Sequence, residues 1–74
     1  MILNTGKYYI TKVENSGEFI TLNNGSRLKV SFIDKITTVL WLPMTNVTVD
    51  SINFKTVKIT NPQENKTIEV TLLN

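Results

Sequence analysis

The sequence predicts an all-β fold, a small single-domain antiparallel meander curling into a partly open barrel, SH3-like or OB-like. Three observations predict it. Ile, Val and Thr dominate the 74 residues while alanine is absent, which is the composition of strands. No segment repeats its apolar residues at the 3.6 period of a helix, whereas several alternate. Turn residues also cut the chain into roughly six or seven short stretches of strand length.

Residues 7–14 form the first predicted strand. The turn that follows, Asn15-Ser16-Gly17, admits two registers. A three-residue turn opposes Glu14 to Glu18, a like-charge pair that repels across the ladder. A two-residue Ser16-Gly17 turn instead pairs Val13 with Ile20, and this register is preferred.

The hairpin over residues 18–30 is the clearest in the chain. A two-residue Asn24-Gly25 loop would pair Leu22 with Arg27 and Ile20 with Lys29, mixing apolar and charged side chains. A three-residue loop, Asn23-Asn24-Gly25, places Gly25 in the left-handed conformation and makes a bulge. Ile20 then faces Leu28, with Leu22 and Val30 on the same side. Phe19 with Lys29 and Thr21 with Arg27 fall on the other. Because only this register separates the faces, it is the expected one.

Residues 31–35 read as a connector or a single helical turn. The most apolar window, 36–42, is expected as a strand broken by Pro43-Met44 and paired with 46–50. That pairing sets Leu40 against Val47, Thr38 against Val49 and Trp41 opposite Asn46. Asp50-Ser51-Ile52-Asn53 makes a turn. The last hairpin closes through a four-residue loop, Pro62-Gln63-Glu64-Asn65, with proline at the second position of a type I turn. It pairs Ile59 with Ile68 and Val57 with Val70 on one face. Lys58 with Glu69, Thr60 with Thr67 and Thr56 with Thr71 share the other, and every pair is favourable. An open meander leaves two sheet edges, which partial or full closure into a barrel removes. No linker or repeat divides residues 1–74, so they make one domain.

Composition then limits the chemistry. Histidine and cysteine are both absent, which removes the usual general base, the thiol nucleophile, disulfides and the soft zinc ligands. Ser16, Ser26, Ser31 and Ser51 have no neighbouring base, and Ser16 and Ser26 belong to turns. Glu14 and Glu18 flank an exposed turn, where water keeps carboxylates near their ordinary acidity. Asp34 and Asp50 are isolated, and Gly6, Gly17 and Gly25 build no phosphate loop. An enzyme is not expected, nor is a cofactor or a metal.

Eight Lys or Arg against six Asp or Glu give a net charge of +2. The cations are spread along the chain, so nucleic-acid binding is permitted but not indicated. Residues 1–6 lack the pattern of a signal peptide, and no apolar run approaches the roughly 20 residues of a membrane helix. The chain is therefore expected in the cytoplasm, or outside it if a targeting segment has been removed. Asn24, Asn46 and Asn65 head Asn-x-Ser/Thr triplets, which chance explains in so Asn- and Thr-rich a chain.

The candidate binding surface consists of Phe19, Arg27, Lys29 and Trp41. Aromatic rings interleaved with cations on a strand face are what single-stranded nucleic-acid binders use. For Trp41 the alternative is structural, since a lone indole in so small a barrel serves as a core plug or end cap. Tyr8-Tyr9 puts one ring on each face of its strand.

Read as a string, Ile20-Thr21-Leu22-Asn23-Asn24-Gly25-Ser26-Arg27-Leu28-Lys29-Val30, then Trp41-Leu42-Pro43 and Val47-Thr48-Val49, resembles a pattern of small exported bacterial β-barrel domains. Leu28 stands where that pattern often has tryptophan, and Met44 where it has glycine. The resemblance covers about residues 8–50 and implies a cell-envelope or secreted binding module without site residues. Three readings follow: a non-catalytic module binding a protein or envelope partner through a strand edge or aromatic patch, a nucleic-acid-binding barrel, and a homo-oligomeric structural subunit.

Overall fold

In a computed structural model describing residues 3–34, 38 and 41–73, six strands form. They are β1 (Gly6–Glu14), β2 (Phe19–Leu22), β3 (Arg27–Val30), β4 (Asn46–Ser51), β5 (Thr56–Asn61) and β6 (Lys66–Leu72). All pair antiparallel, in the order β1-β2-β3-β6-β5-β4, and β4 returns to β1 to close the barrel. Closure is complete, a step beyond the partly open barrel expected. The sequence β4-β1-β2-β3 around the wall is a Greek-key order.

The hairpins fall where their turn residues put them. Ser16 (φ 57°) and Gly17 (φ 94°) occupy the centre of the first turn, and the Glu18 N–H donates to the Asn15 carbonyl at 3.3 Å. Asn15 is at φ 57° as well, so three positive φ angles run in succession; Ser16 and Gly17 carry the signs of a type I′ turn, and the ladder closes at Glu14 and Phe19. Val13 accordingly faces Ile20, and Glu14 faces Phe19 rather than Glu18. In the second hairpin Gly25 has φ +89° and donates its N–H to the Leu22 carbonyl at 2.9 Å. Ile20 pairs with Leu28, Phe19 with Lys29 and Thr21 with Arg27. The last hairpin keeps every expected pair, from Thr56 and Thr71 to Thr60 and Thr67.

Alternation along these strands fills the interior. Ile20, Leu22, Leu28, Val30, Val47, Val49, Val57, Ile59, Ile68, Val70 and Leu72 all point inward and are buried. Strand β1 needs a correction to do the same. Ile10 faces inward, and strict alternation would bring Lys12 after it. A register shift between Ile10 and Lys12 makes Thr11 the extra residue of a bulge. Val13 then packs against the core while Lys12 stays exposed. An unpaired ammonium inside would cost far more than one lost ladder position.

The expected strand over 36–42 is corrected where the structure describes it. Val47 pairs with Tyr8, and Val49 pairs with Gly6 on one side and Ile59 on the other. Asn46 faces Tyr9, not Trp41. Both flanks of β4 are thus occupied, which leaves no edge for a strand from 36–42 to pair with. Leu40 lies outside the described residues. The predicted turn at 50–53 shifts towards the C-terminus, because Asp50 and Ser51 still pair with Lys58 and Val57.

Candidate interaction surface

Chain direction sorts the connections between two ends of the barrel. One end carries the β1–β2 turn, the β5–β6 turn and both feet of the long β3–β4 connection. The other carries the Asn23-Asn24-Gly25 loop, residues 52–55 and both termini of the barrel.

Two side chains of the long connection hold it across the first end. Thr38 is fully buried, and its Oγ1 donates to the Gly17 carbonyl at 2.6 Å. Trp41 is 2% exposed, and its Nε1–H donates to Glu64 Oε1 at 3.0 Å. One bond ties the connection to the β1–β2 turn, the other to the β5–β6 turn. The indole fills the mouth while its polar edge meets a carboxylate at the surface, the usual arrangement for a buried tryptophan. Trp41 is therefore an end plug and does not join the candidate binding face.

The other three candidates do come together. Phe19, Arg27 and Lys29 lie on the outer wall of β2 and β3, with the Arg27 guanidinium carbon 5.4 Å from the centre of the Phe19 ring. Acids share this wall. Glu14 Oε1 is 4.0 Å from Arg27 and Glu14 Oε2 is 3.5 Å from Lys12. Both pairs are solvent-exposed and contribute about 0–1 kcal/mol each. Their consequence is for binding, because Arg27 is already held between a carboxylate and a ring.

Residues that sequence reasoning passed over dominate the surface. Phe32 (85%), Ile33 (81%), Leu42 (69%) and Met44 (70%) are strongly exposed. All four sit at the feet of the long connection, Phe32 and Ile33 after β3 and Leu42 and Met44 before β4, three strands apart around the wall. A signal for the first two was present in the sequence. Ser31 and Asp34 bracket them, and the Ser31 hydroxyl bonds Asp34 Oδ2 at 3.1 Å, while the Asp34 N–H donates to the Ser31 carbonyl at 3.0 Å. Apolar residues at the centre of such a tight turn are turned outward. Met44 takes φ 73°, which the Pro43-Met44 break does not announce.

Two grooves mark the wall. One of about 530 Å³ runs along the β3–β6 seam beside Phe32. The other, about 350 Å³, lies over β1 and β4 beside the half-exposed Tyr9. Tyr8, as expected of its alternate position, packs against the core instead. Among the described residues no three His, Cys, Asp or Glu side chains gather to hold a metal ion, and no helix is long and apolar enough to cross a membrane.

Fold and surface together define a small closed Greek-key β-barrel with exposed apolar side chains at both ends, Phe32, Ile33, Leu42 and Met44 at one and Ile52, Phe54 and Leu73 at the other. No family model, curated protein or solved structure matches the chain.

Proposed function

We propose that this domain is a non-catalytic interaction module that binds a protein or cell-envelope partner. The observation that carries the reading is the exposed rim of Phe32, Ile33, Leu42 and Met44. Scattered apolar side chains are normal on a protein surface; what distinguishes these four is that a single connection at one end of the barrel carries them all. Without histidine or cysteine, the barrel offers shape and apolar area more readily than catalysis.

Light scattering after size exclusion tests the reading. The domain should elute as a monomer of 8.4 kDa at tens of micromolar, and a photo-crosslinker placed at Met44 should then capture a heterologous partner. Exchanging Phe32, Leu42 and Met44 together for serine should abolish capture while shifting the melting temperature little, since exposed sites away from special features change stability by about 0.5 kcal/mol or less. A discrete oligomer dispersed by the same exchange would instead assign the rim to self-association and make the chain a structural subunit.

The contact between Arg27 and Phe19 favours one second reading, a barrel that binds single-stranded nucleic acid through Phe19, Arg27 and Lys29. If it holds, log affinity falls with log salt by roughly 0.7 for each phosphate neutralised, and the R27A/K29A double variant flattens that slope by about 1.4. Because Glu14 competes for Arg27, the expected result is no binding to mixed-sequence single strands in low salt at high micromolar concentration. Saturable binding with that slope would reverse the order of the two readings.

A further inference from the structure

The outer wall of β1 and β4 gathers polar side chains around one ring. The ladder sets Tyr9 opposite Asn46 and Lys7 opposite Thr48, and alternation along the strands turns all four outward. On the other flank of Tyr9, β2 has ended at Leu22 and Asn23 takes over. The Tyr9 N–H donates to Asn23 Oδ1 at 3.1 Å, and the Asn23 N–H donates to the Tyr9 carbonyl at 2.9 Å. Asn23, Tyr9 and Asn46 therefore form one row across the wall, an aromatic ring with a carboxamide on either side. Lys7 and Thr48 form the next row.

The groove of about 350 Å³ lies over these two rows, with Pro62 also in its lining. That volume falls within the range of small-ligand sites. Tyr9 is 37% exposed, so its ring is open to a ligand while staying seated on the wall. Asn23 Oδ1 is committed to the Tyr9 N–H, which leaves that carboxamide its N–H donors to offer. The Tyr9 hydroxyl, the Asn46 carboxamide and the Thr48 hydroxyl have no partner among the described residues. Among those residues no carboxylate lines the groove, and Lys7, which forms no ion pair there, is its one charged side chain.

The geometry points to a binding site for a short saccharide that bears a carboxylate. A sugar ring has a C–H face that packs on an aromatic ring, and edge hydroxyls that pair with the carboxamides beside it. Lys7 complements a single carboxylate. A nucleic-acid strand asks for more, because its affinity comes from several neutralised phosphates. The groove shares no residue with the apolar rim, so the proposal goes beyond the interaction-module reading and is tested separately from it.

Chemical-shift titration of the isotope-labelled domain tests it with trimers of galacturonic acid and of galactose, which differ in carboxylate against hydroxymethyl. The acidic trimer should shift Tyr9, Asn23 and Asn46 saturably at millimolar concentration. It should bind about threefold more tightly than the neutral trimer, the worth of one exposed ion pair. Tyr9→Ala should weaken both trimers about tenfold. Lys7→Gln, an exposed change, should abolish the preference while leaving the neutral trimer's affinity unchanged, and it serves if Tyr9→Ala fails to fold. No saturable shift in this groove with either trimer would overturn the proposal, as would equal affinity of the parent for the two. A preference that persists in Lys7→Gln would overturn it too. Uridine monophosphate binding more tightly than the acidic trimer would overturn it in favour of a nucleotide. Shifts confined to Phe32, Leu42 and Met44 would overturn this site alone and leave the interaction-module reading standing.

Discussion

Trp41→Ala should be strongly destabilising, removing about 3–5 kcal/mol and lowering the urea midpoint steeply. The indole is 2% exposed and plugs the barrel mouth, and truncating such a side chain costs about 3–5 kcal/mol. A chain of this length has about 4–11 kcal/mol in all, so the loss takes a large share of it. Two milder changes separate area from hydrogen bonding. Trp41→Phe keeps most of the apolar plug but loses the bond to the Glu64 carboxylate and should cost about 1.5–3 kcal/mol. Glu64→Gln keeps an acceptor within reach of Nε1 and should be nearly neutral. Urea unfolding followed by circular dichroism reads all three, since tryptophan fluorescence is lost with Trp41 itself. A midpoint for Trp41→Ala close to the parent's would mean that the mouth is closed by something other than this ring.

How much was legible in the sequence differs between local and non-local pairings. The three hairpins could be read because each carries its own arithmetic. Turn residues fix the loop length, and the loop length fixes which side chains share a face. Ile20 with Leu28 and Ile59 with Ile68 follow from neighbouring residues alone. The pairings that close the barrel, β3 with β6 and β1 with β4, join segments far apart in the chain, and no turn specifies them. Hairpin logic therefore assigned β4 the partner nearest in sequence, residues 36–42, when its real partners are β1 and β5.

The surface divides in the same way. Alternation placed Phe19, Arg27 and Lys29 together on an outer wall. It placed Trp41 there only by assuming a strand through that residue, and a connection lying across the mouth obeys no period of two. The bulge at Thr11 was also readable in principle, because Ile10-Thr11-Lys12-Val13 brings a lysine where alternation wants an apolar residue. The exposed rim of Leu42 and Met44 was not, since apolar residues beside a plug look like core until the plug is found.

Gly25→Val should cost roughly 2 kcal/mol and lower the melting temperature by about 8–16 °C for a domain of this size. Gly25 holds φ +89° where the three-residue loop makes its bulge, and a Cβ built there meets nothing within 4 Å. The penalty is thus conformational rather than a clash. A β-branched side chain is forced into the left-handed region, where Cβ crowds the following carbonyl. The absence of a clash gives a graded test. Asn tolerates this region best among residues with a side chain, so Gly25→Asn should stay within about 1 kcal/mol of the parent. Gly25→Ala should fall between Asn and Val. A purely steric cause would rank the three by volume and place Asn well below Ala. If Gly25→Val melts within a degree or two of the parent, the loop is not the three-residue turn. The pairing of Ile20 with Leu28 would then fail, and with it the outer face that carries Phe19, Arg27 and Lys29.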